Sequence, residues 1–203
     1  MSLEALLNRH DIWRANRTSH DSSRHLPTGH EQLDRQLPGG GWPIGALSEI
    51  LLEHGGIGEL RLVMPALARL NRDNRWIAWV NPPHIPYAPA MIAAGLDLER
   101  MLWIRPGQDR DSLWALEQAL RSGVCGAVLG WPEAPGIAAL RRLQLAAEEG
   151  GALGLLFRSL QDARQSSPAA LRLQLEPGPS AATVRIMKCR GGWGGSTAAL
   201  NVA

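Results

Sequence analysis

Ala46-Leu47-Ser48-Glu49-Ile50-Leu51-Leu52-Glu53-His54-Gly55-Gly56-Ile57-Gly58-Glu59-Leu60 is the stretch on which the reading of this chain turns. Ala46 to Leu52 is a compact apolar run of strand length and predicts a buried strand. Gly55, Gly56 and Gly58 predict a turn. From Glu59 to Asn71 the residues Leu60, Val63, Met64, Leu67 and Leu70 recur on one helical face. Pro65 lies inside that stretch and predicts a kink or a later start. Strand, glycine turn and helix follow one another here, and in an open α/β sheet such a turn is the natural ligand position.

A phosphate-binding turn needs glycines so that backbone N–H groups can face phosphate oxygens. It then needs a lysine for the β- and γ-phosphates and a hydroxyl for Mg²⁺. Here Glu59 stands at the lysine position and Leu60 at the hydroxyl position. A carboxylate against a triphosphate costs roughly a kcal/mol or more in a partly dry site. Locally, two readings stay open: a nucleotide pocket that lost its chemistry, and a glycine-rich turn that never had one.

Working outward, Trp76–Val80, Met101–Ile104, Val124–Leu129 and Ala152–Phe157 read as further strands. Pro89–Ala94, Asp111–Arg121 and Ala138–Glu149 read as the helices between them. Leu171, Leu173 and Leu175 alternate with polar residues, as do Val184 and Ile186, which predicts a closing hairpin. Leu3 to Arg14 has rough helical spacing, and Arg17 to Arg24 is a polar linker. The expected organisation is an N-terminal helix and linker over 1–24, one α/β core over 25–190, and a glycine-rich tail over 191–203. The alternation predicts a mostly parallel sheet with helices on both faces and a C-terminal antiparallel hairpin.

The chain has 203 residues, 45% of them hydrophobic and 20% charged, enough for one sizeable core. A net charge of +2 permits nucleic-acid contact without arguing for it, and the arginines are spread along the chain, often beside Asp or Glu. DNA contact is therefore expected to be indirect or weak. Cys125 and Cys189 form no CxxC and read as reduced thiols of a cytoplasmic protein. Residues 1–16 lack an apolar stretch of signal-peptide length, and no segment has the length of a membrane span. The six histidines, all before residue 85, have no metal-ligand spacing. No metal, no cofactor and no catalytic residue is expected. Trp76, Trp79 and Trp103 lie on strands and read as core. Trp13, Trp42 and Trp193 lie at element ends or in the tail and are candidates for partner contact.

With these segments placed, their order resembles the RecA recombinase core. The resemblance is carried by Thr28-Gly29, Leu33-Asp34, Leu37, Gly39 to Gly45 and Glu49-Ile50. It continues through Trp76 to Pro106, Ala119 to Gly123, and the terminal hairpin. It implies a RecA-like sheet. In that register Pro83 replaces the catalytic glutamate, and Trp131 falls at or next to the metal-binding aspartate. With Glu59 and Leu60, these departures imply that ATPase chemistry is gone. Lys188 and Arg190 align with two basic residues that a recombinase subunit reaches into its neighbour's ATP site.

Among ATPase-inactive relatives of this size, the run before the phosphate turn and the tail beginning Lys188-Cys189-Arg190 resemble the ImuA family more than the SulA family. The ImuA resemblance implies a non-enzymatic adaptor in SOS-induced error-prone translesion synthesis, in the cytoplasm near the nucleoid. The implied partner is an ImuB-type polymerase-like protein, with RecA and a second error-prone polymerase as further partners and with room for a homo-oligomer. Leu3, Leu6, Leu7, Trp13, Trp42, Lys188, Arg190 and Trp193 are the candidate partner-binding residues. The alternative is a SulA-like division inhibitor that binds FtsZ.

Overall fold

A computed structural model describes residues 25–107, 109–178, 182–192 and 194–200. The expected N-terminal helix, with Leu3, Leu6, Leu7 and Trp13, and the tail residue Trp193 lie outside the described residues.

The described strands are β1 (His25–Leu26), β2 (Trp42–Pro43), β3 (Ala46–Leu52), β4 (Trp76–Val80), β5 (Met101–Ile104), β6 (Cys125–Gly130), β7 (Leu153–Ser159), β8 (Leu171–Glu176), β9 (Ala182–Cys189) and β10 (Thr197–Leu200). The helices are α1 (Glu31–Asp34), α2 (Glu59–Arg72), α3 (Ala88–Ala93), α4 (Asp109–Arg121) and α5 (Ile137–Gly150). β1 and β2 form a small antiparallel pair. The other eight strands form one sheet in the order β10-β9-β8-β3-β7-β6-β4-β5.

The sheet corrects the RecA-like, mostly parallel assignment: the class is α/β, and the sheet is mixed. β3 pairs in parallel with β7 and β8, and β6 and β4 continue that direction to β5. β8–β9 and β9–β10 are antiparallel. The connection lengths account for the change. The helices α2, α4 and α5 carry the chain back over the sheet between parallel strands. Only five or so residues separate β8 from β9, and about seven separate β9 from β10, too few for a parallel crossover. Residues 197–200 thus add an edge strand to the sheet.

Every residue of β3 is buried, as a strand covered on both faces requires. On one face Ile50, Ile77, Trp79, Leu129, Leu155 and Phe157 meet Leu62, Val63 and Leu67 of α2, Met91 of α3, and Leu26, Leu33 and Trp42. On the other, Leu47, Ala78, Val80, Val128 and Leu156 meet Leu116 and Leu120 of α4 and Leu140, Leu143 and Ala147 of α5. Trp42 is fully buried, which removes it from the exposed candidates for partner contact. It lies on β2, and the β1–β2 pair presses its ring into the core beside Leu26 and Leu33. Trp103 is corrected in the opposite sense: β5 is the last strand of the sheet, so its indole stands half in solvent.

Pro65 does not end α2, which runs unbroken to Arg72. A proline at that place cannot donate to the carbonyl one turn back. Its ring packs where Gly29, at φ 87°, leaves room, since a Cβ on Gly29 would stand 2.3 Å from Pro65 Cβ. The His30 ring sits 3.2 Å from the Leu62 carbonyl of the same helix.

Candidate functional site

The turn between β3 and α2 stands at the carboxyl end of the sheet, where the sequence placed it. Gly58 opens α2 at φ 100°, a left-handed conformation that favours glycine, and no side chain caps the helix from that position. Two donors of the turn already have an acceptor. Glu59 folds back so that its carboxylate accepts from Gly56 N at 2.9 and 3.1 Å and from Ile57 N at 2.9 Å. Backbone N–H groups at a helix N-terminus favour an anion. Here the anion is the chain's own. Glu59 also takes two of the turn's backbone donors, Gly56 N and Ile57 N.

Next to the turn lies a cleft of about 960 Å³ between α2, α3 and the ends of β4 and β6. Its wall includes Leu60, Met64, Pro65, Ala68, Trp79, Pro83, Tyr87, Met91 and Trp131, together with His30, Glu59, Arg61, Arg72 and His84. The structure thus brings together Glu59, Leu60, Pro83 and Trp131, the four positions at which the RecA resemblance implied lost functions. Trp131 stacks on Phe157 with ring centroids 4.6 Å apart and on Trp79 at 5.8 Å. A slab of three aromatic rings therefore stands at or beside the expected metal-binding position. Such a slab gains from burial and stacking and offers no charge to a cation.

Lys188 lies at the end of β9 and Arg190 just beyond it, and neither lines this cleft. The Lys188 ammonium donates to the Ser167 carbonyl at 2.7 Å. Burial lowers its pKa first, then the positive charges of Arg190 and Arg172, while Glu49 pulls the other way. Arg190 is exposed and lies 3.9 Å from a Glu148 carboxylate oxygen.

Lys188 caps a cluster that sequence reading missed. Glu49 of β3 is fully buried. Its carboxylate accepts from Arg158 Nη1 at 2.8 Å, Ser167 Oγ at 2.7 Å and Arg172 Nε at 2.7 Å. Arg172 also donates to the carbonyls of Asp162, Ala163 and Gln165, which pins the 3-10 turn Leu160–Arg164 over the sheet. Arg158 Nη2 lies 3.2 Å from Asp162 Oδ2, out of line for a hydrogen bond. Two cations around one buried carboxylate, closed by backbone carbonyls, form a structural clasp.

The family model for the cell division inhibitor SulA matches residues 45–154. The chain is similar to SulA of Edwardsiella piscicida, 35% identical over 99 residues, which are 48% of this chain and 58% of that relative. It is similar to Protein ImuA of Caulobacter vibrioides, 30% identical over 137 residues, which are 65% of this chain and 56% of that relative. Among solved structures it is similar to SulA from Pseudomonas aeruginosa, with 33% identity, a TM-score of 0.47, and coverage of 56% of this chain and 97% of that one. The matches thus span between half and two thirds of the curated relatives named here. The family match begins in the turn before β3 and ends in β7, so it takes in the glycine turn, α2, most of the cleft wall, and Trp79 and Trp131 of the aromatic slab. With more than half of its length matched, the chain belongs to the SulA family.

Proposed function

We propose that this chain is a non-catalytic, protein-binding member of its family that acts as an adaptor in SOS-induced error-prone translesion synthesis. It is held by an ImuB-type polymerase-like protein, with RecA and a second error-prone polymerase as further contacts. The observation that carries the non-catalytic reading is the Glu59 carboxylate on the donors of the phosphate turn. Pro83 and Trp131 beside it offer neither a base for water nor a ligand for a metal. A domain that keeps its sheet and blocks its ligand turn is left with its surface to act through.

The adaptor assignment rests on the similarity to a protein named ImuA and on residues 25–43. That segment precedes the family match, yet Leu33, Leu37 and Trp42 are built into the core. A second reading, a division inhibitor that binds FtsZ, is favoured by the family model and by the SulA relatives. Affinity purification of the tagged chain from DNA-damaged cells, read by mass spectrometry, separates the two. Recovery of the polymerase-like partner or RecA supports the adaptor. Recovery of FtsZ without them replaces it with the inhibitor.

A further inference from the structure

Lys188 is the only lysine of the sequence. On β9 it stands directly across from Arg172 of β8, so the two side chains share one face of the sheet. Arg172 and Arg158 share the buried Glu49 carboxylate, and Asp162 lies beside Arg158. The cluster thus sets three cations against two carboxylates, and both carboxylates are engaged with guanidiniums. Lys188 is left with a neutral acceptor, the Ser167 carbonyl at 2.7 Å. Among the described residues no carboxylate lies within ion-pair distance of its ammonium. A half-buried ammonium beside guanidiniums, with a carbonyl for its acceptor, is held toward its uncharged form. Burial lowers its pKa, as do the charges of Arg190 and Arg172, against the pull of Glu49. An uncharged amine is a nucleophile.

Arg190 follows two residues on, and its backbone N–H donates to the Ala170 carbonyl at 2.8 Å, which continues the strand pairing. Its guanidinium is exposed and lies 3.9 Å from a Glu148 oxygen, beyond hydrogen-bond length. A guanidinium so placed has donors for a phosphate. We propose that Lys188 is an acylation site whose co-substrate is a small acyl phosphate, with Arg190 as the group that receives the phosphate. The Nζ lone pair attacks the acyl carbon and an N–C bond forms. The bond from that carbon to the bridging oxygen breaks, and phosphate leaves with the electron pair against Arg190. The proton released from nitrogen goes to solvent. The product is an uncharged amide that keeps one N–H for the Ser167 carbonyl and removes the unpaired positive charge from the cluster. The other cationic side chains are arginines, which stay protonated and do not compete as nucleophiles. The site is independent of which partner the chain binds.

Reaction of the full chain with acetyl phosphate at neutral pH, followed by mass spectrometry with peptide mapping, tests the assignment. Lys188 is expected to gain an acetyl group at least about threefold faster in the folded chain than in the same chain unfolded in urea, because folding raises the uncharged fraction of the amine. Inorganic phosphate at constant ionic strength is expected to slow this reaction. It is expected to leave acetylation by a neutral N-hydroxysuccinimide ester unchanged. Arg190→Gln, with folding confirmed by circular dichroism, is expected to slow the acetyl phosphate reaction by about threefold to tenfold and to spare the ester reaction. A folded-state rate no higher than the rate in urea overturns the proposal. So does inorganic phosphate or Arg190→Gln acting equally on both reagents, since Arg190 would then not be receiving the phosphate.

Discussion

At the scale of single residues, Glu59 and Glu49 are two carboxylates set to opposite tasks by their surroundings. Glu59 lies partly exposed at a helix N-terminus and satisfies loop amides. Glu59→Ala should lower stability by about 0.5–1 kcal/mol in urea unfolding, from lost capping bonds and lost charge at the helix start. Glu49 holds two buried guanidiniums, and Glu49→Ala leaves both without their anion. That variant should lose about 3–5 kcal/mol by the same measurement. Lys188 gives a pH signature. Its folded-state pKa lies below the ordinary 10.5, so the folded state disfavours its charged form, and the penalty is present at neutral pH. The penalty is relieved as pH rises from the lowered value toward 10.5. The stability of wild type relative to Lys188→Met should therefore increase through that alkaline window in thermal melts. A flat difference would show that the amine is not perturbed. Glu49 was visible in sequence as a charge inside an apolar strand. Its partners stand more than a hundred positions later, at Arg158, Ser167 and Arg172, and no local spacing connects them.

At the scale of elements, the strand–turn–helix unit was legible because its signals are local. The apolar run, the glycines and the helical face fall on β3 and α2 with a difference of one residue at the helix end. β5 was found at its own limits, Met101–Ile104, but its exposure was not. An aromatic residue on a strand reads as core, and only the strand order reveals an edge. Trp42 failed in the reverse direction, because a Gly-Trp-Pro sequence reads as a turn while the β1–β2 pair carries the indole inward. The third antiparallel strand escaped for a similar reason: the hairpin of β8 and β9 was read from their alternation, but β10 is a four-residue strand that follows a glycine-rich stretch. β10 covers β9 by four paired positions. Removing residues 197–203 exposes the Val184 and Ile186 side of that strand and takes away Ala198 and Leu200 from the core. The truncated chain should lose several degrees of Tm in a calorimetric scan, in line with the loss of two buried apolar side chains.

At the scale of the whole molecule, the cleft and the glycine turn sit where an α/β sheet binds its ligand, and the chain closes the turn with its own side chain. The α/β alternation was readable in the sequence, and the four positions singled out there line one cleft. Which partner the surface serves was not readable, because partner choice depends on exposed side chains whose meaning lies in another molecule. The proposed loss of ATPase chemistry makes a clear demand on the protein. The most direct measurement is isothermal titration of the full chain with ATP and Mg²⁺ at millimolar concentration, with phosphate release followed in parallel. The account predicts no saturable heat and no phosphate above the protein-free rate. Saturable binding with phosphate release would contradict it, because Glu59 would then have to leave the amides that hold it.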